Sequence, residues 1–230
     1  MKLSIIIPAY NEEKTLQRVL ESIPRKISGI NEIVTIVVDD GSTDRTYSIA
    51  KSKATHALRH AINLGVGAAT ITGIDMAKKL KSDMVVTIDA DGQHNPLDLP
   101  KLIDPILAKK ADIVIGSRML NSNNSMPAIK IIGNWVMNFI TFIVFHRWVS
   151  DSQSGMKALS SKALSRMKLC SMGYEICSEI VGDAKEKNLK LIEVPIETIY
   201  SDYSKIKGQN IFNAVNILTR ILFFKVTGRK

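Results

Sequence analysis

With 230 residues, 45% of them hydrophobic and 23% charged, the chain has the composition of a folded globular protein with one sizeable core. Two cysteines are too few for a disulfide framework, and their spacing, Cys170 to Cys177, predicts buried thiols on one helix face in a reducing compartment. The net charge of +9 gathers at the C-terminal end, where Lys205, Lys207, Arg220, Lys225, Arg229 and Lys230 stand against the single acid Asp202 in the sequence, a local excess of +5 that implies an anionic partner, the alternative being solvated surface charge. Without a zinc-finger, RNA-recognition or basic-region pattern, that partner is read as phosphate or lipid headgroups and not as nucleic acid.

The chain opens directly on an apolar β-rich run, "KLSIIIP", with no secretory leader before it, which predicts a cytosolic protein. Strands are expected at 3–7, 33–38, 84–88 and 111–115, alternating with helices near 12–22, 44–53, 66–80 and 98–109. This alternation predicts an α/β fold, a Rossmann-like and mostly parallel central sheet flanked by helices in a single domain. In such sheets ligands bind at the carboxyl ends of the strands. The loops expected there, "PAYNEE", "DDGSTD", "DADGQH" and "GSRM", are the distinctive polar parts of the chain and should converge on one rim. Residues 1–118 would then form one binding half. Residues 119–230, where long apolar helices replace the alternation, would form the other side of a cleft.

The second of these loops leaves its strand through Asp39 and Asp40, turns at Gly41 and Ser42, and enters a helix with Thr43 or Asp44 as N-cap. A strand-tip aspartate can hold a nucleotide base or ribose, or merely pin its own turn. On the neighbouring loop Pro8, Tyr10 and Glu12 supply an aromatic face and a carboxylate that could frame a base. "VVTIDADGQHNP" ends an apolar run with Asp89 and Asp91, two residues apart and so expected on one side of a strand. Two close carboxylates repel unless a proton or a cation lies between them. Oxygen ligands of this kind, with a carbonyl oxygen from Gln93, suit Mg²⁺ or Mn²⁺; the alternative is that both aspartates cap the loop or the next helix. The glycines of "NLGVGAA" are no dinucleotide fingerprint, because Thr70 stands in the third glycine's place and the segment does not follow the first strand. An oxidoreductase is thereby excluded.

Taken in series, PAYNEE, VVDDGSTD, DADGQH, IGSR and DSQSG resemble the family 2 nucleotide-sugar glycosyltransferases with the GT-A fold. Within that family the chain looks most like the dolichol-phosphate mannose synthases and their bacterial and archaeal relatives, from Ile5 to about Ile206. The resemblance implies inverting transfer of a sugar from a nucleotide-sugar donor (GDP-mannose or a UDP-sugar) to a polyprenyl or dolichyl phosphate, with Mg²⁺ or Mn²⁺. It implies that Asp39 holds the base or ribose, helped by Pro8, Tyr10 and Glu12. Asp89, Asp91 and Gln93 would hold the metal on the donor diphosphate, with Ala90 among the donor-binding residues. Arg118 would meet the acceptor phosphate, Asp151 would line the reaction centre, and Lys205 would close over the diphosphate. Lys130 stands where lipid-linked relatives carry a second arginine. Val66 stands where many carry lysine, so no phosphate contact is expected there.

Chemistry agrees with this distribution of charge. Breaking a sugar–diphosphate bond leaves negative charge on the nucleotide, which a metal and a nearby lysine would neutralise. A phosphate acceptor is already an anion and needs positioning, whereas a hydroxyl acceptor would require Asp151 or Glu179 as general base. Rival readings are a soluble transferase acting on a glycan or protein hydroxyl, and a catalytically silent nucleotide-sugar binder. Residues 131–149 are apolar but interrupted by a polar stripe of Asn134, Asn138 and Thr141, which argues against a membrane span. Trp135, Trp148, Lys130 and Arg147 favour an interfacial helix on an anionic membrane surface, peripheral at the cytoplasmic face; a dimer contact or plain core is the alternative. A second apolar stretch with a basic end lies at 210–226.

Overall fold

The computed structural model describes residues 1–121 and 126–199; Lys205, the basic region 201–230 and the stretch 210–226 lie outside the described residues. The N-terminal run becomes β1 (Lys2–Ala9), in which Leu3, Ile5, Ile6 and Ile7 have no exposed surface. A continuous buried run of this kind belongs to a parallel strand covered on both faces. Ile5 and Ile7 pack with α1 (Leu16–Ser22) and α4 (Leu99–Leu107) on one face. On the other, Ile6 packs with α3 (Val66–Lys79), α6 (Ser161–Arg166) and α7 (Ile176–Glu186).

Among the described residues the sheet has seven strands in the order β3-β2-β1-β4-β6-β5-β7. The expected strands are β1, β2 (Glu32–Asp39), β4 (Met84–Thr87) and β5 (Ile113–Ser117). Three more were not read from sequence: β3 (His56–Arg59), β6 (Lys157–Ser160) and β7 (Leu191–Pro195). They are only four or five residues long and carry polar side chains, so no period shows. Strand β6 is antiparallel to both neighbours, β4 and β5, while the remaining pairs are parallel. From β1 the chain builds β2 and β3 to one side, then returns through α3 to β4 on the other. That reversal opens a crevice beyond the carboxyl ends of β1 and β4.

Local chemistry explains several element ends. Helix α2 (Thr46–Lys53) has Arg45 at its N-cap position, so neither expected cap, Thr43 or Asp44, occupies it; Asp44 acts from one residue earlier, its Oδ1 accepting from the Thr46 amide at 2.9 Å and hydroxyl at 2.5 Å. The cysteines do not share a helix face. Cys177 is partly buried in α7, but Cys170 is exposed in the preceding loop, because α7 starts only at Ile176.

Helix α5 (Ala128–Phe145) is built inside out. Its polar stripe is the buried one: Asn138 Oδ1 accepts from the Ser152 amide at 2.8 Å, its Nδ2 donates to the Ser150 carbonyl, and Thr141 Oγ1 meets Ser178 of α7 at 2.8 Å. Ile129, Ile132, Trp135, Val136, Phe139, Phe142 and Ile143 lie exposed on the outside, with the Trp148 ring tilted against that of Trp135, centroids 5.6 Å apart. Among the described residues no helix is long and apolar enough to cross a membrane.

Candidate active site

Loops from the carboxyl end of the sheet surround one cleft of about 500 Å³. Pro8, Tyr10 and Glu12 reach it from the end of β1, Asp89, Ala90, Asp91 and Gln93 from the end of β4, Arg118 from the end of β5, and Lys130 from α5. All of these are residues expected at the site from sequence. The glycines of NLGVG shape the nearby wall: Gly65 has φ +105°, and a side chain there would strike the Met172 carbonyl.

Two expected residues stand behind the wall instead. Asp39 is fully buried, accepts from the Ser42 amide at 3.3 Å, and faces Arg59 Nε at 3.0 Å from its register partner on β3. Asp40 lines the cleft in its place and accepts from the Leu64 and Gly65 amides at 3.0 and 2.8 Å. Asp151 is also fully buried, so it backs Arg118 rather than lining the cleft. Its carboxylate accepts from Arg118 Nε and Nη2, each at 2.7 Å, and from the Arg118 amide at 3.0 Å. Burial works against ionisation of Asp151, but the Arg118 charge and these hydrogen bonds prevail and hold its pKa below the ordinary carboxylate value. Glu179 is turned away as well, accepting from the Cys170 and Ser171 amides at 2.9 and 2.8 Å.

Asp89 and Asp91 are not in a strand, because β4 ends at Thr87; they share a turn with Gly92 at φ +75° and still meet in the cleft. The Asp89 carboxylate lies so close to Gly155 that a Cβ there would overlap it, which gives the glycine of DSQSG its purpose. Burial raises the pKa of Asp89, opposed by the Arg118 and Lys157 charges. Burial and then the charge of Asp89 raise that of Asp91, whose oxygens accept from the Gln93 amide at 2.9 Å and from Gln93 Nε2. Two carboxylates that resist ionising side by side gain from a divalent cation between them. Among the described residues no three His, Cys, Asp or Glu side chains are grouped as a complete metal cage. Mg²⁺ and Mn²⁺ need none, since one or two carboxylates plus substrate phosphate oxygens suffice. The donor set fits such an ion.

Three of the cleft residues not assigned from sequence bear on its chemistry. His94, within the quoted DADGQH, is buried, and that burial pushes its pKa down to about 4, so the ring is neutral. Lys157, directly after the DSQSG motif in "MKAL", is fully buried with its Nζ donating to the Ser152 and Ser154 carbonyls. A lysine in a short apolar run was the available signal. The third, Asn134, was visible only as the first member of the α5 stripe.

The chain belongs to glycosyl transferase family 2, whose model matches residues 4–167, and it is a glycosyltransferase. It is 41% identical to the UDP-N-acetylglucosamine–dolichyl-phosphate N-acetylglucosaminyltransferase of Methanococcus voltae, over 96% of this chain and 95% of that one. It is 31% identical to the dolichol-phosphate mannosyltransferase of Pyrococcus furiosus, over 96% of this chain and 64% of the relative. In fold it resembles glucosyl-3-phosphoglycerate synthase from Mycobacterium tuberculosis in complex with Mn²⁺ and UDP-glucose, at 20% identity and TM-score 0.72, covering 98% of this chain and 78% of the other.

Proposed function

We propose that this enzyme transfers one sugar, with inversion, from GDP-mannose or a UDP-sugar to a polyprenyl or dolichyl phosphate, assisted by Mg²⁺ or Mn²⁺. The observation that carries this reading is that Asp151 and Glu179, the carboxylates a hydroxyl acceptor would call on, are both engaged elsewhere. A phosphate acceptor needs no base. It needs a cation of fixed orientation, and Arg118, held rigid by Asp151, matches a phosphate. The names of the two archaeal relatives support a lipid phosphate.

In this scheme residues 1–118 bind the donor and residues 119–230 the acceptor. Pro8, Tyr10 and Glu12 frame the base, with Asp39 fixing the turn beside it, and Ala90 leaves room for the donor between the two acidic residues. A divalent ion held by Asp89, Asp91 and Gln93 would neutralise the charge developing on the departing nucleotide. Lys130 and Arg118 hold the acceptor phosphate, and Lys205 supplies a further charge to the diphosphate. The test is a donor panel incubated with Mn²⁺ or Mg²⁺ and polyprenyl phosphates, scored for organic-extractable sugar. Transfer only to soluble glycans would replace the lipid acceptor, and donor binding without turnover would leave a silent binder.

An acceptor with its tail in a bilayer obliges the cleft to open at the membrane surface, here the cytoplasmic face. The exposed apolar side of α5 supports this, since its inner side helps form the cleft. Replacing both Trp135 and Phe139 by serine should weaken vesicle binding by roughly tenfold or more, because each buries over 1 kcal/mol of apolar surface. High salt should weaken binding to anionic vesicles without abolishing it, as screening acts only on the basic residues. Co-sedimentation with vesicles measures both. Unchanged binding by the double variant would remove α5 from the contact.

A further inference from the structure

Along the buried side of α5, Asn138 and Thr141 find partners within the protein, but Asn134, one turn earlier, does not. It is 6% exposed and lines the cleft, yet neither its Nδ2 nor its Oδ1 has a hydrogen-bond partner. His94, in the same cleft and 3% exposed, likewise has no hydrogen bond at either ring nitrogen. Among the described residues, four of the six buried side-chain nitrogen and oxygen atoms without a hydrogen-bond partner belong to these two side chains, His94 Nδ1 standing 3.5 Å from Asp89 Oδ2. Native proteins rarely leave such groups unsatisfied, and an unpaired buried amide is destabilising unless something completes it.

The chemistry of the amide narrows what completes it. Asn134 offers two N–H donors and one carbonyl acceptor, so it requires a ligand that both accepts and donates. A phosphate dianion only accepts and would leave Oδ1 unpaired. A sugar hydroxyl does both. Within the cleft the acidic pair marks the diphosphate and Arg118 the acceptor phosphate, and the transferred sugar must lie between the two. We propose that Asn134, with His94 as a second contact, binds hydroxyl groups of the transferred sugar and so sets which sugar is accepted. The proposal rests on the donor reading above.

Asn134→Leu tests it, because leucine has the same branched shape and no polar atom. Calorimetric titration would compare UDP with UDP-N-acetylglucosamine, and GDP with GDP-mannose, on native and variant protein in the presence of Mn²⁺. Affinity for the nucleotide sugar should fall about tenfold, while affinity for the bare diphosphate stays unchanged. The melting temperature should not fall, since an unsatisfied polar group has been removed; a structural role for Asn134 would lower it. Should leucine prove too bulky and lower the melting temperature, Asn134→Ala gives the same comparison. Undiminished nucleotide-sugar affinity in a folded variant would overturn the proposal, as would a raised acceptor KM with donor binding unaltered. If the native protein binds none of the nucleotide sugars, the donor reading itself fails.

Discussion

Asp91→Asn is expected to melt no lower than the native protein in EDTA, yet to transfer sugar about 10²–10³ times more slowly. The loss of rate follows from removing one preorganised ligand aimed at the leaving diphosphate. The stability follows from the sign of the pKa change. Burial first, and then Asp89, raise the folded pKa of Asp91 above its ordinary 3.8. A carboxyl shifted this way contributes to stability below that pH, and the contribution is lost as the pH rises through the folded value. At neutral pH without metal, the acidic pair therefore works against the fold, and asparagine relieves it. Mn²⁺ with a nucleotide diphosphate should raise the native melting temperature and raise the variant's far less. Thermal melts and turnover assays check both halves. A variant working at the native rate would take Asp91 out of the site.

The second large effect is expected at Asp151. Asp151→Asn keeps the shape of the side chain but offers one acceptor oxygen where Arg118 presents two side-chain donors and an amide. The asparagine amide would point donor against donor. Breaking a buried pair from one side costs about 3–5 kcal/mol, which for a chain of this size lowers the melting temperature on the order of 10 °C. Arg118, no longer held, should bind the acceptor less well, raising its KM on the order of tenfold and leaving donor affinity alone. The pH signature has the opposite sign to that of Asp91. The folded pKa of Asp151 lies below 3.8, so its contribution is present above that value and is lost as the pH falls through the folded one. Denaturation curves at neutral and acid pH should converge for native and variant at the acid end. Equal stability at pH 7 would mean that the pair is ornamental.

These two aspartates also mark the limit of what the sequence discloses. Strands β1, β2, β4 and β5 were legible because each is a dense apolar run buried on both faces, and the loops that follow them were legible because polar motifs break those runs. Whether a motif residue faces the cleft is a matter of register, which a sequence does not carry: at the tip of β2 a difference of one position sets the buried Asp40 in the cleft wall and Asp39 behind it against Arg59. Asp151 reads as a reaction-centre residue, yet it is fully buried behind Arg118, bonded to its guanidinium. Helix α5 showed its polar stripe in the sequence but not the direction the stripe faces: it points inward, where Asn138 ties down residues 150–152.

The position of β6 has a consequence for how the protein is made. Strand β5 is complete at Ser117, but both strands that flank it, β6 and β7, begin later in the chain, at Lys157 and Leu191. At a synthesis rate of about 5–20 residues per second, β5 waits for seconds on the ribosome as a bare apolar strand with two open edges. Such edges invite pairing with other nascent chains. The enzyme's demand for protection during translation should therefore peak between the emergence of β5 and that of β6.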